Sequence, residues 1–350
     1  MDLDDLAVYQ EIDRSNMHAE LQTLPDQLKD AWELGSRYYI PPYKKINSLV
    51  IAGMGGSAMG ADLLASYITP ICPIPIITLR DYCLPFWATG PEVLVVTSSH
   101  SGNTEETISI YQQALENKCS LIAITTGGKL AKMAQENSLP LWTFTHQGQP
   151  RAAVGYSFGL LLALVVKLGL IPRQDELLES AVKAMQTLRE SIDVEIPVKK
   201  NPAKRMAGQL MNRFVAVIGA DFLTPVARRY KTQINELAKA WAQFEFLPEA
   251  DHNTLAGIER SEEVLSKIFV LFLSASSDHP RNQLRTKLTR MELMRAGIIT
   301  DVLEFREANP LSEIWTSMLF GDFLAYYLAI ANQIDPTPVD AIQNLKKTMS

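Results

Sequence analysis

Two short segments of the chain carry glycines and hydroxyl side chains of the kind that bind anions. The first, Ser98–Thr104, reads Ser-Ser-His-Ser-Gly-Asn-Thr and follows the apolar run Glu92–Thr97. Hydroxyls and free backbone N–H groups at a strand-to-helix turn suit the three terminal oxygens of a phosphate monoester. We therefore predict that Ser99, Ser101 and Thr104 bind a phosphate, with an ordinary helix N-cap as the competing interpretation.

The second segment is a glycine-rich turn. It reads Gly-Met-Gly-Gly-Ser over residues 53–57 and follows the apolar run Ser48–Ala52 directly. Glycine lets the backbone approach a ligand closely, and the helix that follows offers N–H groups to an anion. We predict that Gly55, Gly56 and Ser57 also contact the phosphate, although such a turn can be purely structural.

The glycine turn has a further interpretation as a dinucleotide fingerprint. The spacing Gly53-x-Gly55-x-x-Ala58 nearly fits that motif, and Asp81 follows a later strand at about the distance of a ribose contact. A lone glycine pattern does not separate the two ligands. A nicotinamide dehydrogenase therefore stays open at this stage.

The elements that must position these turns follow from the apolar runs. Such runs alternate with helix-length stretches, which predicts parallel strands joined by helices. The predicted strands cover residues 48–52, 75–79, 92–97, 120–124, 214–220, 267–274 and 297–303. Because the later runs repeat the order of the earlier ones, we predict an α/β fold with two similar lobes, each a doubly wound, Rossmann-like parallel sheet flanked by helices.

The same pattern divides the chain into three parts. Residues 1–47 form a helical arm, in which four apolar side chains recur at helical spacing. Residues 48–198 form the first lobe and hold the phosphate site. Residues 199–350 form the second lobe with a C-terminal helical segment, and a polar stretch around residues 198–202 links the two lobes.

Composition excludes several classes of protein. Apolar residues make up 47% and charged residues 21% of the 350, as in a packed globular chain, and the net charge of −6 argues against nucleic acid as a partner. The N-terminus lacks the features of a signal peptide, and the apolar run Tyr156–Leu170 is too short to span a bilayer, so we expect no membrane partner. Three cysteines without C-x-x-C spacing indicate free thiols in a reducing cytoplasm and no metal site.

Taken in order, the motifs resemble those of a known family. Gly-Met-Gly-Gly-Ser followed by Thr-Ser-Ser-x-Ser-Gly-Asn-Thr-Glu-Glu-Thr is similar to the sugar isomerase (SIS) domain. More closely, the chain resembles the bifunctional phosphoglucose/phosphomannose isomerases of archaea and bacteria. Further blocks of the resemblance are residues 150–156, 235–239, 251–253, 335–339 and 345–346. The resemblance implies two SIS-type lobes, a sugar-phosphate substrate, no cofactor or metal, and a homodimer.

The resemblance also implies the reaction and its base. An aldose becomes a 2-ketose when a proton moves between C2 and C1 through a cis-enediol, which requires a general base. Glu236 stands where the family carries its catalytic glutamate, and Leu237 replaces the usual asparagine beside it. Without the resemblance, Glu236 would be interpreted as a solvated residue on a helix.

Three further residues receive roles in the same way. His252 matches the histidine that opens the sugar ring, and in the family this residue can complete the site of the partner subunit. Arg151 supports the enediolate oxygens with its charged fork of donors. Lys346 contacts the sugar oxygens or assists ring opening, with Lys347 as the alternative lysine. A loop histidine, a surface arginine and solvated tail lysines are the competing interpretations.

His100 is a second departure from the family pattern, after Leu237. Two other functions also compete with the isomerase and the dehydrogenase. His100 stands in the phosphate turn where the family carries tyrosine, which puts the substrate preference in question. A non-catalytic SIS-type regulator is the main alternative function, and it would leave Glu236, His252 and Lys346 unexplained. An amidotransferase-type glucosamine-phosphate enzyme would need an N-terminal cysteine nucleophile, which Met1-Asp2 does not supply.

Overall fold

A computed structural model describes residues 2–43, 45–259 and 262–349 of the chain. Its helices are α1 (Leu6–Ile12), α2 (Met17–Gln22), α3 (Leu24–Arg37), α4 (Gly55–Ile68), α5 (Glu105–Glu116), α6 (Gly128–Glu136), α7 (Val154–Lys167), α8 (Asp175–Ile192), α9 (Pro202–Leu210), α10 (Thr224–Leu237), α11 (Glu262–Leu265), α12 (Pro280–Arg295), α13 (Pro310–Ala331) and α14 (Asp340–Met349). The strands are β1 (Ser48–Ala52), β2 (Ile76–Leu79), β3 (Val93–Ser99), β4 (Ser120–Thr125), β5 (Leu141–Thr143), β6 (Phe214–Ala220), β7 (Ala242–Leu247), β8 (Ile268–Ala275) and β9 (Ile299–Phe305).

The described residues divide into two compact units. The first unit covers residues 23–182, and the second covers the described residues of 1–22 and 183–350. Helix α3 packs against α7 in the first unit, whereas α1 and α2 contact α13 in the second. The lobe boundaries predicted at residues 48 and 199 remain a prediction.

The first unit is built on one parallel sheet. Its strand order is β2-β1-β3-β4-β5, and every pair of neighbours runs parallel. All residues of β1 and β3 are buried. Strands covered on both faces by helices form continuous apolar runs, and for this reason the sequence pattern predicted them.

The second unit repeats this arrangement with four strands. Its order is β7-β6-β8-β9, again parallel throughout, so that β6, β7, β8 and β9 take the places of β1, β2, β3 and β4. Side chains of β6 and β8 pack on α12 in a core that includes Ile218, Val270, Phe272 and Leu293. The predicted α/β fold with two parallel, helix-flanked sheets is confirmed.

One helix of the second unit is long and apolar enough to cross a membrane by length and composition alone. This helix is α13, with 22 residues, and its most apolar window is completely buried within the protein. It also carries Asp322, which accepts hydrogen bonds from Arg229 Nε and Nη2 at 2.9 and 2.8 Å. A buried helix with a buried ion pair is a core helix, and α13 packs against α10.

Candidate active site

The two predicted phosphate segments lie at the switch point of the first sheet. From β1 the chain passes through α4 to β2 on one side, and from β3 it passes through α5 to β4 on the other. In open parallel sheets, ligands bind where such connections diverge, beyond the carboxyl ends of the strands. The turn 53–57 follows β1 and the turn 98–104 follows β3, so the fold brings together the two segments that the sequence singled out.

The hydroxyls of the second turn are held by its own backbone. Ser99, which is buried, accepts a hydrogen bond from the Gly102 amide at 3.1 Å, and its hydroxyl lies 2.9 Å from that of Thr104. Ser101 is exposed and accepts from the Asn103 amide at 3.2 Å. A Cβ on Gly102 would lie 1.9 Å from a backbone carbonyl oxygen, and φ there is +64°, so this position requires glycine. The turn is therefore preorganised by contacts within the protein.

The glycine turn contacts the segment that carries Arg151. Gly55 and Gly56 open α4, and Ser57 in its first turn is buried. A Cβ on Gly56 would lie 2.7 Å from the Pro150 carbonyl oxygen and 3.6 Å from the Arg151 Cα. The close packing of these backbones places the start of the Arg151 turn against the N-terminus of α4.

Arg151 is a buried cation in this neighbourhood. It lies in the 3₁₀ turn Pro150–Ala152, is 6% exposed, and its Nη1 donates to Gln149 Oε1 at 3.3 Å. A guanidinium stays charged at every physiological pH, so its burial costs free energy unless hydrogen bonds or an anionic partner compensate for the lost water. This placement argues against the surface-arginine interpretation.

His100 does not supply a positive charge to the phosphate turn. Its Nε2 lies 3.0 Å from Nδ1 of His146, and its ring packs edge-on against Phe144. Burial, with a smaller contribution from His146, lowers the pKa of His100 to about 4. The ring is therefore neutral near pH 7, and a histidine at this position adds an aromatic side chain without adding a cation.

Glu105, at the start of α5, is directed to a neighbouring loop. Its side chain is exposed, and the Tyr82 hydroxyl donates to it at 3.4 Å. Acidic residues are favourable in the first turn of a helix because they face its positive dipole end. Glu105 thus contacts the loop after β2, although it follows the phosphate turn directly in sequence.

Glu236 lies in a pocket of the second unit. It stands one residue before the end of α10, and the pocket of about 430 Å³ is lined by Asn235, Glu236, Lys239 and residues of the segment 334–342. A Cβ on Gly321 of α13 would lie only 2.2 Å from a ring carbon of Tyr230 on α10. Close packing of α10 on α13 therefore fixes the helix that carries Glu236.

Lys239 joins the two walls of this pocket. Its ammonium nitrogen lies within hydrogen-bonding distance of four carbonyl oxygens. Those of Glu236 and Leu237 are at 2.7 and 3.2 Å, and those of Asp335 and Pro336 are at 3.0 and 3.1 Å. The carbonyls at the C-terminus of a helix lack helical partners, and a nearby cation satisfies them. Lys239 therefore links the C-terminus of α10 to the segment on the opposite wall.

We expect Lys239→Met to loosen this pocket. The change removes a charged donor from several carbonyls at once, but Lys239 is exposed and water can replace part of the interaction. The free energy of unfolding should therefore fall by about 0.5–1.5 kcal/mol. Chemical denaturation measures this loss, and Lys231→Met, a lysine of α10 outside the pocket, is the matched control. Equal midpoints for the two variants would contradict the role given to Lys239.

His252 lies on a turn of the second unit. It ends the 3₁₀ turn Glu249–His252, which follows β7, and its side chain is exposed. This turn therefore lies beyond the carboxyl end of β7, and ligands of parallel sheets bind on the side of the sheet where the strands have their carboxyl ends. An exposed imidazole at this position is available to a bound molecule.

The two candidate lysines lie at the end of the chain. Lys346 and Lys347 both belong to the last turn of α14. Helix α14 begins at the Glu236 pocket, where Asp340 and Ile342 line the wall. Lys346 lies four residues after Ile342, and Lys347 lies seven residues after Asp340, so each shares a helix face with a residue of the pocket wall. The choice of Lys346 over Lys347 stays a prediction.

The switch point of the second sheet is filled by side chains of the protein. Glu313 of α13, which is fully buried, accepts from the Ser276 amide at 2.8 Å and the Ser277 amide at 3.3 Å. Asp221, after β6, accepts from the His279 amide at 2.8 Å. These carboxylates occupy the turn that corresponds to the predicted phosphate turn of the first unit. The features that predict phosphate binding therefore belong to the first sheet.

Asp278 in this second turn is a buried carboxyl group. Its Oδ2 accepts from the Ala275 amide at 2.7 Å, while Oδ1 has no hydrogen-bond partner among the described residues. Burial raises the pKa of Asp278 to about 7; the Ala275 amide opposes the shift, and the charges of Asp221 and Glu313 add to it. Near pH 7 the group is therefore only partly ionised.

Asp278→Asn should change how stability depends on pH. The pKa of Asp278 in the folded state, about 7, exceeds the ordinary value of 3.8. Between these two pH values the folded state therefore binds more protons than the unfolded state. The wild-type protein must lose stability as pH rises from about 4 to about 7, at up to about 1.4 kcal/mol per pH unit from this group. The variant lacks this loss, so its advantage in urea unfolding should grow over that range and level off above it. A difference independent of pH would contradict the raised pKa.

Several positions of the site were not predicted from the sequence. Glu313 resembles an ordinary first-turn acid after the N-cap Asn309, and nothing in the sequence around it indicates that it fills a turn in another segment. The role of Lys239 depends in part on a carbonyl 96 residues away. Contacts of this kind leave no local pattern.

Known proteins resemble this chain over most of its length. Residues 199–349 match the family model described as the bacterial phospho-glucose isomerase C-terminal SIS domain. The chain is 38% identical over 338 residues to a bifunctional phosphoglucose/phosphomannose isomerase of Caldicellulosiruptor bescii, covering 95% of this chain and 99% of that one. It is 30% identical to the enzyme of the same name from Aquifex aeolicus, over 89% of this chain and 92% of the relative.

The fold is shared with solved structures at lower identity. A glucose-6-phosphate isomerase like protein from Thermus thermophilus superposes with a TM-score of 0.63 at 19% identity, covering 97% of this chain and 98% of that one. This likeness shows the fold alone, whereas the relationship to the first two relatives is visible in the sequence over most of the chain. The chain belongs to the bifunctional phosphoglucose/phosphomannose isomerase family.

Proposed function

We propose that this protein is a sugar-phosphate isomerase that interconverts glucose 6-phosphate, and also mannose 6-phosphate, with fructose 6-phosphate. The observation that carries the proposal is its 38% identity, over 95% of the chain, to an enzyme named for both activities. The preorganised hydroxyl turn and the pocket at Glu236 supply the two chemical functions that such a reaction needs. Glucose and mannose 6-phosphates differ only at C2, and removal of the C2 proton from either gives the same enediol.

The phosphate is bound by the first unit. Ser99, Ser101 and Thr104 donate their hydroxyls. A fourth hydroxyl, that of Ser57, comes from the first turn of α4. The backbone amides at the start of α4 have no preceding helical carbonyl, so those of residues 55 and 56 bind the anion at the positive end of the helix dipole. The phosphate thereby fixes one end of the open-chain sugar.

Proton transfer is assigned to Glu236. Its carboxylate removes the proton from C2 of the open-chain aldose, the electron pair moves to form the C1–C2 double bond, and O1 gains negative charge. A proton then moves from O2 to O1, so that O2 carries the negative charge. Glu236 returns the same proton, or one exchanged with water, to C1 while C2–O2 becomes the carbonyl of the ketose. Arg151 stabilises the enediolate oxygens, because a fixed cation in a buried site is worth more than one in water.

Opening of the sugar ring is assigned to His252. His252 transfers protons between the ring oxygen and O1, since imidazole exchanges protons near neutral pH. Lys346 contacts the sugar oxygens.

We propose a homodimer in which the exposed His252 completes the site of the partner subunit. Free cysteines at positions 72, 83 and 119 suit a location in the reducing cytoplasm.

Other functions are less well supported. A regulator that only binds sugar phosphates has no use for the carboxylate pocket. A dehydrogenase has only the near-fit of the glycine turn to the dinucleotide fingerprint, with Asp81 at the distance of a ribose contact, in its favour. Family membership favours the isomerase over both.

A coupled assay of the purified protein tests the proposal. Conversion of glucose 6-phosphate and of mannose 6-phosphate to fructose 6-phosphate is measured for each sugar, and the reverse reaction is followed separately, with and without EDTA. We expect turnover of both epimers. Binding of the sugar phosphates without turnover of any of them would contradict the isomerase and support the regulator.

A further inference from the structure

The turn that carries His252 is anchored at several points within the second unit. Ala250 is 1% exposed and belongs to the core beneath β6 and β8. The Asp251 amide donates to the Pro248 carbonyl at 3.1 Å, and Asn253 Nδ2 donates to Glu249 Oε1 at 2.9 Å. Hydrogen bonds among its neighbours thus hold the backbone of this turn, while the His252 side chain itself is exposed.

The strongest of these anchors is Asp251. Its Oδ2 accepts from Arg285 Nη1 at 2.7 Å, and its Oδ1 accepts from the Thr289 hydroxyl at 2.6 Å. The Asp251 side chain is 12% exposed and that of Arg285 is 32% exposed. Both donors lie on α12, four residues apart and therefore on neighbouring turns of one helix face. The carboxylate is thus bound at both oxygens to one rigid element.

We infer that Asp251, held by Arg285 and Thr289 of α12, is a positioning residue for His252. The inference rests on the proposed function, in which His252 takes part in catalysis. A side chain that performs proton transfer must be held close to its productive geometry, and an exposed histidine on a loop has little packing of its own to do this. The adjacent aspartate, fixed to a helix of the core, supplies that restraint through the backbone.

The role differs from that of an ordinary structural ion pair. A partly exposed pair contributes little to stability, because solvent screens it and ordering the side chains costs entropy. Two bonds from one helix nevertheless fix the orientation of the turn, including the direction in which the next side chain leaves the backbone. We therefore expect the contacts to matter more for turnover than for stability.

A double-mutant cycle tests the inference on the full-length protein. We expect Asp251→Asn to lower kcat by about tenfold with KM changed less than about twofold, since misplacement of a catalytic group affects the chemical step. His252→Asn should lower kcat further, by about 10²-fold. The double variant should have the kcat of His252→Asn alone, because Asp251 acts only through His252.

Two further variants keep the test independent of folding. Thr289→Val removes one of the two bonds with little change in size and should show the same loss of kcat in weaker form. Arg281→Met, a change of an exposed arginine one turn before Arg285, is the matched control and should behave as wild type. Thermal unfolding of each variant reports whether the fold is retained.

Each outcome has a distinct meaning. Losses that multiply in the double variant, or losses of kcat and KM that follow the loss of thermal stability, would overturn the positioning role while the isomerase proposal stands. Wild-type kcat for His252→Asn would overturn the role of the histidine and with it that of Asp251. Absence of turnover in the wild-type protein would overturn the proposed function itself.

Discussion

Glu236→Gln is expected to lower kcat for every sugar phosphate by about 10³-fold, within the range that general bases contribute. Glutamine has nearly the shape of glutamate but cannot accept the C2 proton, so KM should change little. In D₂O the wild-type protein should introduce deuterium at the carbons that exchange protons, as followed by NMR, whereas the variant should introduce none on the same timescale.

The matched control for this change is Glu262→Gln. Glu262 is an exposed glutamate in the first turn of α11 and does not line the pocket of Glu236. Its replacement should leave kcat and KM unchanged. Substantial turnover or continued deuterium exchange by Glu236→Gln would assign the proton transfer to another group.

Arg151→Met is expected to lower kcat by about 10²–10³-fold, the typical loss when one donor to a developing oxyanion is removed. Methionine fills part of the same buried space without the charge, so the Pro150–Ala152 turn should persist. Arg151→Lys should recover only part of the rate, because an ammonium does not reproduce the planar fork of a guanidinium. Steady-state kinetics on fructose 6-phosphate measures both variants.

Arg37→Met provides the comparison for Arg151. Arg37 lies at the end of α3 with its side chain 77% exposed, and it pairs with Glu33 across the helix surface. Its loss should not affect kcat. If Arg151→Met keeps its kcat but binds inorganic phosphate more weakly, Arg151 binds the substrate phosphate and does not stabilise the enediolate.

Strands β1, β3 and β4 of the first unit were predicted well because they are buried on both faces. Ser48–Ala52 and the strand at residues 120–124 are continuous apolar runs, and the turns after them carry the glycines and hydroxyls that end them. By contrast, two strands at sheet edges were missed. Strand β7 contains alternating polar residues, and β5 has only three residues. Edge strands are exposed on one side and lose the apolar signal.

The candidate site was predictable only where it is local in sequence. The hydroxyls of residues 99–104 and the glycines of residues 53–57 occur within single turns, and their place at one switch point follows from the order of strands. The roles of Glu236 and His252 came from the resemblance, because an isolated glutamate or histidine has no local pattern that indicates catalysis. Contacts between distant segments, such as Asp251 with Arg285, required the structure.

The repeat between the two sheets was predicted, but its chemical asymmetry was not. The segment after β8 is rich in serine, as is the segment after β3, which suggests equivalent turns. Glu313 makes the two turns chemically different, because its carboxylate accepts hydrogen bonds from the backbone amides that would otherwise bind an external anion. A buried carboxylate from a helix far along the chain replaces the ligand, and sequence similarity between the turns could not show this.

The most direct test of the account is a crystal structure of the Glu236→Gln variant with fructose 6-phosphate. We predict that the phosphate oxygens lie within about 3.2 Å of the hydroxyls of Ser99, Ser101 and Thr104. The side chain at position 236 should lie within about 3.5 Å of C1 or C2 of the sugar. A sugar bound with its phosphate elsewhere, and with C1 and C2 remote from position 236, would contradict the central claim.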